Sequence, residues 1–200
     1  MKKRLFAILL ATAMMMGTLT VSASELTNVA PGGSTAVEAD ILGEDTGDVT
    51  YIISIPEKID FGTLYMPEDD SEAHPKTVGF TVSAVEIKGL DESTSRVAVL
   101  LKDAVAAEGK FQIAGVSGTN NNKILEYSVL NSGGVDLTTS KPYANGYAFA
   151  AFSKAGQAVN GSLKLEQNQL LTDKVIENWA GDYLGTINFY TAIAEIGSYN

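Results

Sequence analysis

Beyond residue 48 the apolar residues of this chain fall on every second position. TGDVTYIISI places Val49, Tyr51, Ile53 and Ile55 on one side of an extended backbone; VGFTVSAVEI does the same with Val78, Phe80 and Val82, and RVAVLLK with Val97, Val99 and Leu101. Further along come Leu125, Tyr127 and Val129, then Tyr147, Phe149 and Ala151, then Leu163 and Leu165, and finally Tyr183, Gly185, Ile187 and Phe189. Successive side chains of a strand point to opposite faces, so a period of two marks strands with one buried face. GTNNN at 118–122, SGG at 132–134, Asn145-Gly146 and Asn160-Gly161 separate these runs with residues that tolerate the positive φ of tight hairpins. Neighbouring strands therefore pair antiparallel. Many short strands at this spacing predict an all-β fold, an antiparallel two-sheet β-sandwich of immunoglobulin-like type. Helix signals are few: DAVAAEG at 103–109 reads as a single turn, and Leu171, Val175 and Trp179 stand at i, i+4 and i+8 before Gly181.

The first residues follow a different pattern. Lys2, Lys3 and Arg4 precede an apolar run from Leu5 to Met16, and small residues follow at Val21-Ser22-Ala23. That order is the mark of a secretory signal peptide, and the run is short of the roughly 20 residues a membrane-crossing helix needs. The expected organisation is a signal peptide over 1–23, a flexible leader over 24–48 with one candidate strand from Thr35 to Ile41, and a single β-sandwich domain over 49–200. The expected location is secreted, extracellular or associated with the cell surface, without membrane contact after signal removal.

Charge and cysteine content narrow the chemistry. The formal charge of −10 becomes −13 without Lys2, Lys3 and Arg4, and no basic cluster follows. Such a surface repels nucleic acid. With no Cys in the chain, disulfides, thiol nucleophiles and Cys-ligated metals are excluded, so core burial must hold the fold. His74, the one histidine, lies among Glu68, Asp69, Asp70 and Glu72 in an acidic loop and reads as an exposed residue before Pro75. Calcium takes carboxylate oxygens, which this loop and GEDTGD (Glu44, Asp45, Asp48) offer, but neither has the spaced pattern of a dedicated calcium loop. Metal ligands are thus left unassigned, with calcium the one candidate cofactor, and no catalytic residue is assigned.

NWAGDYLGTINFY, residues 178–190, holds the single Trp of the chain between turn formers. It reads as a corner entering a late strand, with the Tyr183 hydroxyl turned back to a backbone group and Trp179 packed against the end of the sandwich. Two segments, IPEKIDFGTL with Pro56, Asp60, Phe61, Gly62 and Thr63, and AGDYLGTINFY with Ala180, Gly181, Tyr183 and Thr186, resemble the early and final strands of WxL-type surface domains of Gram-positive bacteria. The resemblance implies a β-rich domain exported by a signal peptide and held noncovalently on the cell wall. The Trp-x-Leu signatures are absent: Phe189-Tyr190-Thr191 occupies the last strand, and no Trp lies near Val97 to Leu101.

The expected function is a non-enzymatic binding or adhesion module of the cell surface. Its partners would be a cell-wall or extracellular polymer, or other surface proteins. The alternative is a strand-exchanging fibre, pilus or matrix subunit that self-associates through edge strands, with STAVEADIL as the donated strand. A covalent variant would join a buried Lys to an Asn. A secreted carboxylate-based glycan hydrolase ranks third.

Overall fold

The computed structural model describes residues 23–27, 48–107, 109–116 and 118–199. Ten strands run through them: β1 (Ala23–Thr27), β2 (Thr50–Pro56), β3 (Pro75–Lys88), β4 (Ser95–Asp103), β5 (Phe111–Gly115), β6 (Ile124–Leu130), β7 (Tyr147–Phe152), β8 (Ala158–Glu166), β9 (Tyr183–Leu184) and β10 (Ile187–Glu195). All pairings are antiparallel. Seven strands form one sheet in the order β1-β2-β3-β8-β6-β5-β9, and three form the other in the order β10-β4-β7. The protein is an all-β, two-sheet antiparallel sandwich.

The inward residues are largely those that alternation marks. Tyr51, Ile53 and Ile55 on β2, Phe80 and Val82 on β3, Leu125, Tyr127 and Val129 on β6, and Leu163 and Leu165 on β8 are buried. Phe80 joins the layers, its ring stacked on Phe149 of β7 at 5.1 Å and edge-on to Phe189 of β10 at 6.4 Å. A buried hydrogen bond of 3.0 Å between the Tyr51 and Thr191 hydroxyls crosses from β2 to β10. β4 departs from simple alternation: Val97 through Leu101 are all buried, as suits the middle strand of a three-stranded sheet.

Packing overrides the local pattern in several places. Asn160-Gly161 is not a turn; both residues lie inside β8, opposite Thr81 and Phe80. A Cβ at Gly161 would stand 2.6 Å from Phe149 and 2.8 Å from Phe80, so the missing side chain is what admits the stacked rings. On β7 the expected inward residue Ala151 is exposed and Phe152 is buried, because the β4–β7 register shifts between Val99 and Leu100 and turns over the end of the strand. β5, absent from the alternating runs, anchors the core through Phe111.

No helix forms over 171–179. Two short 3-10 turns, Gln167–Thr172 and Ile176–Asn178, flank extended backbone at Asp173 and Val175. The turn expected at 103–109 is built by a side chain instead, the Asp103 carboxylate accepting from the Val105 and Ala106 amides at 2.8 and 2.7 Å. IDFGTL lies in the loop after β2 rather than in a strand, and its Phe61 turns into the core against Tyr127 at 5.6 Å. The candidate strand from Thr35 to Ile41 lies outside the described residues; the leader strand within them is β1, paired with β2.

The last strand is broken between layers. β9 pairs with β5 on the large sheet, and after Gly185 and Thr186 β10 pairs with β4 on the small one along nine consecutive residues. One stretch of backbone therefore closes a side of the sandwich.

Candidate functional site

The Trp179 to Tyr183 corner is assembled from two stretches of the chain, 120–123 and 173–183. The Tyr183 hydroxyl donates to the Trp179 carbonyl at 3.0 Å, bending the chain back over one turn. Trp179 is buried, its indole N–H donates to the Asp173 carbonyl at 3.1 Å, and the Lys123 ammonium stands 4.6 Å above the ring. Lys123 also pairs with the Asp173 carboxylate at 3.0 Å, and the Asn178 amide donates to the same oxygen at 2.8 Å. These donors hold the Asp173 carboxyl below its ordinary pKa, Lys123 contributing most and Asn178 next. Beneath them Asn120, fully buried, donates to the Asp182 carbonyl at 2.9 Å. Burial raises the Tyr183 phenol. The corner carries the structural role expected of Tyr183 and Trp179, with neither ring spread out as an exposed platform.

Among the described residues, the acids singled out by sequence do not converge. Asp69 accepts from the Ser71 amide and hydroxyl within its own turn, and the hydroxyl, with the amide, lowers its pKa. Asp60 accepts from Lys58 and from the Gly62 amide and is lowered in the same way, chiefly by Lys58. Half-buried His74 is bound through its backbone: its amide donates to Asn168 at 3.2 Å, and its carbonyl accepts from the Gln167 amide at 3.0 Å. Among the described residues no group of three or more His, Cys, Asp or Glu is placed to hold a metal ion. Glu44 and Asp45 lie outside those residues. Every described Lys is exposed or half-buried, so the buried Lys needed for an internal Lys–Asn amide is not found there.

Sequence reasoning missed Gln167-Asn168-Gln169. Gln167 accepts from the Tyr65 amide at 2.8 Å, Asn168 donates to the Glu72 carbonyl at 2.8 Å, and Gln169 exchanges two bonds with the Glu126 backbone at 2.8 and 2.7 Å. Three consecutive amide side chains thus staple the loop over 57–74 and β6 together. The run QNQ was the available signal, but its partners lie 43 to 102 residues away.

Among the described residues, two surface clefts stand out. One, of about 380 Å³, lies where β2 leaves β3; their pairing ends at Ser54 and Ser83, and Ser54 to Pro56 and Gly79 to Thr81 form its walls. The other, of about 300 Å³, lies between the loop after β4 and the turn before β7 and is lined by Lys102, Lys110, Tyr143 and Tyr147 among others.

Neither a protein-family model nor a curated protein matches the chain. Among solved structures, a chain from "Chaperone-tip adhesin complex is vital for synergistic activation of CFA/I fimbriae biogenesis" aligns with a TM-score of 0.41 and 16% identity, over 72% of this chain and 46% of that one. This chain thus spans less than half of the other's length. A likeness at this level assigns no activity and no partner. No described helix is long and apolar enough to cross a membrane.

Proposed function

We propose that the protein is a secreted, non-enzymatic cell-surface module that binds a wall or extracellular polymer. The observation that carries this reading is the use to which its polar groups are put. Asp60, Asp69, Asp103 and Asp173 are each engaged by nearby amides, hydroxyls or ammonium groups that fix loops and corners, which favours a display scaffold over paired reacting carboxylates. The signal-like N-terminus and the resemblance to WxL-type domains support a place at the wall of a Gram-positive cell. Washing cells with concentrated salt tests this: intact protein should enter the wash, whereas its presence only in the medium would count against retention.

A second reading, strand exchange between copies, draws on one feature. β1 occupies the outer edge of β2 with Glu25 opposite Ser54. Backbone pairing at such an edge accepts a strand from any chain in register. Because the chain has no Cys, one protein carrying Glu25→Cys can be mixed under oxidising conditions with another carrying Ser54→Cys. A disulfide-linked heterodimer would establish exchange. Cross-linking confined to monomers of the double variant would eliminate it.

A further inference from the structure

The N-terminal half of β3 is paired on one side only. It runs beside β8 from Pro75 to Ser83, whereas β2 joins it only from Ser83 to Lys88. The Ala84 amide donates to the Gln157 carbonyl and the Ala84 carbonyl accepts from the Gly156 amide, both at 2.8 Å, so Ala84 turns its backbone groups toward β8. Successive residues of a strand turn them to alternate sides. Val82, Phe80 and Val78 therefore serve β8, while Thr81, Gly79 and Thr77 direct theirs to the opposite edge, where no described strand pairs with them. The sequence of β2 explains why its ladder stops: the residue that would next come opposite Thr81 is Pro56, which has no amide to donate. The wedge left between the two strands is the cleft of about 380 Å³.

An open edge of this kind is completed by an extended polypeptide, whose amides and carbonyls match the spacing of those on β3. Thr77, Gly79 and Thr81 are exposed on the outer face, and the wedge is also lined by Ile55 and Phe80, which belong to the core. An added strand thus meets solvent on alternate residues and apolar walls on the others. Residues 35–41 carry that pattern, with Val37, Ala39 and Ile41 alternating with Ala36, Glu38 and Asp40. A molecule's own segment falls short of the edge. Thr77 stands eleven residues along β3 from Lys88, the partner of Thr50, a distance of about 36 Å, whereas the nine steps from Ile41 to Thr50 extend to about 32 Å at most. Thr27 lies opposite Ile52 and so level with Glu86; from there the distance is about 30 Å before β2 is crossed, against about 29 Å for the eight steps to Thr35. We propose that residues 35–41 of one molecule pair with the edge over 77–81 of a second copy. The inference deepens the strand-exchange reading and rests on it, naming a donor and an acceptor while β1 stays on its own β2. Each copy gives one strand and takes one, a head-to-tail contact that propagates into rings or open chains.

Disulfide trapping reads this contact directly, because the chain has no Cys of its own. Mature protein carrying Glu38→Cys is mixed under oxidising conditions with protein carrying Thr77→Cys, Gly79→Cys or Thr81→Cys. A Cβ at Gly79 meets nothing closer than the Gly161 carbonyl at 3.8 Å, so that position has room for the side chain. A linked heterodimer is expected with one or more of the three, and Val37→Cys, which faces the other way, should link about tenfold less. No linkage from Glu38→Cys, or equal linkage from Val37→Cys, would overturn the proposal. Sedimentation velocity gives an independent reading. The wild type should form oligomers, and Gly79→Pro, which removes an amide that no described strand uses, should sediment as a monomer with its melting temperature kept. A wild type that stays monomeric at millimolar concentration, or a folded Gly79→Pro variant that assembles like it, would also overturn the idea; if that variant unfolds, trapping decides alone. The Glu25→Cys and Ser54→Cys mixture separates this contact from exchange of β1. Linkage there with none here leaves β1 exchange standing without this donor, and linkage here alone leaves the reverse.

Discussion

Asn120 is a fully buried polar side chain whose amide meets the Asp182 carbonyl 62 residues away. Truncation in Asn120→Ala removes one of two donors to that carbonyl, which keeps the Val116 amide at 3.1 Å, so the lost hydrogen bond should cost about 1 kcal/mol in urea unfolding. Tyr183→Phe removes one hydroxyl donor and keeps the ring, so a loss of about 1 kcal/mol is expected by the same measurement. Asp173 makes the corner sensitive to acid. Its folded pKa lies below the unfolded value of about 3.9. Its stabilisation is therefore complete above that value and is lost as pH falls through the folded pKa. Asp173→Asn should unfold more easily at pH 7 and show a flatter decline than the wild type below about pH 4, read from melting temperatures across that range. At this scale legibility followed distance along the chain. Tyr183 bonds four residues back, within a recognisable corner, whereas the partners of Asn120 and the QNQ run are set by topology.

Strands were legible wherever one face met the core and the other met solvent, as on β2, β6 and β8. β7 was read correctly only up to its bulge, because a one-residue slip exchanges the two faces and no local signal announces it. Asn160-Gly161 misled for the opposite reason. Glycine serves both turns and close packing, and only the Phe80 and Phe149 rings decide which applies. Gly161→Ala is accordingly expected to destabilise by about 1–3 kcal/mol through overpacking, with weakened near-ultraviolet circular dichroism but unchanged strand content. The expected helix over 171–179 failed because its apolar spacing served separate ends: Trp179 is drawn to the Asp173 carbonyl, while Val175 stays exposed.

For the whole molecule, alternation without cysteine was enough to foresee two layers, but not how unequally the strands would divide between them. Partition depends on where a strand leaves one sheet for the other, and the break at Gly185 and Thr186 looks locally like an ordinary part of an alternating run. That break has a mechanical consequence. A segment stitched first to one layer and then to the other prevents the layers from sliding apart independently. Tension applied along β10 would load its nine rungs against β4 side by side rather than peel them one by one, so the seam that completes the core is also where a tethered molecule would resist being pulled open.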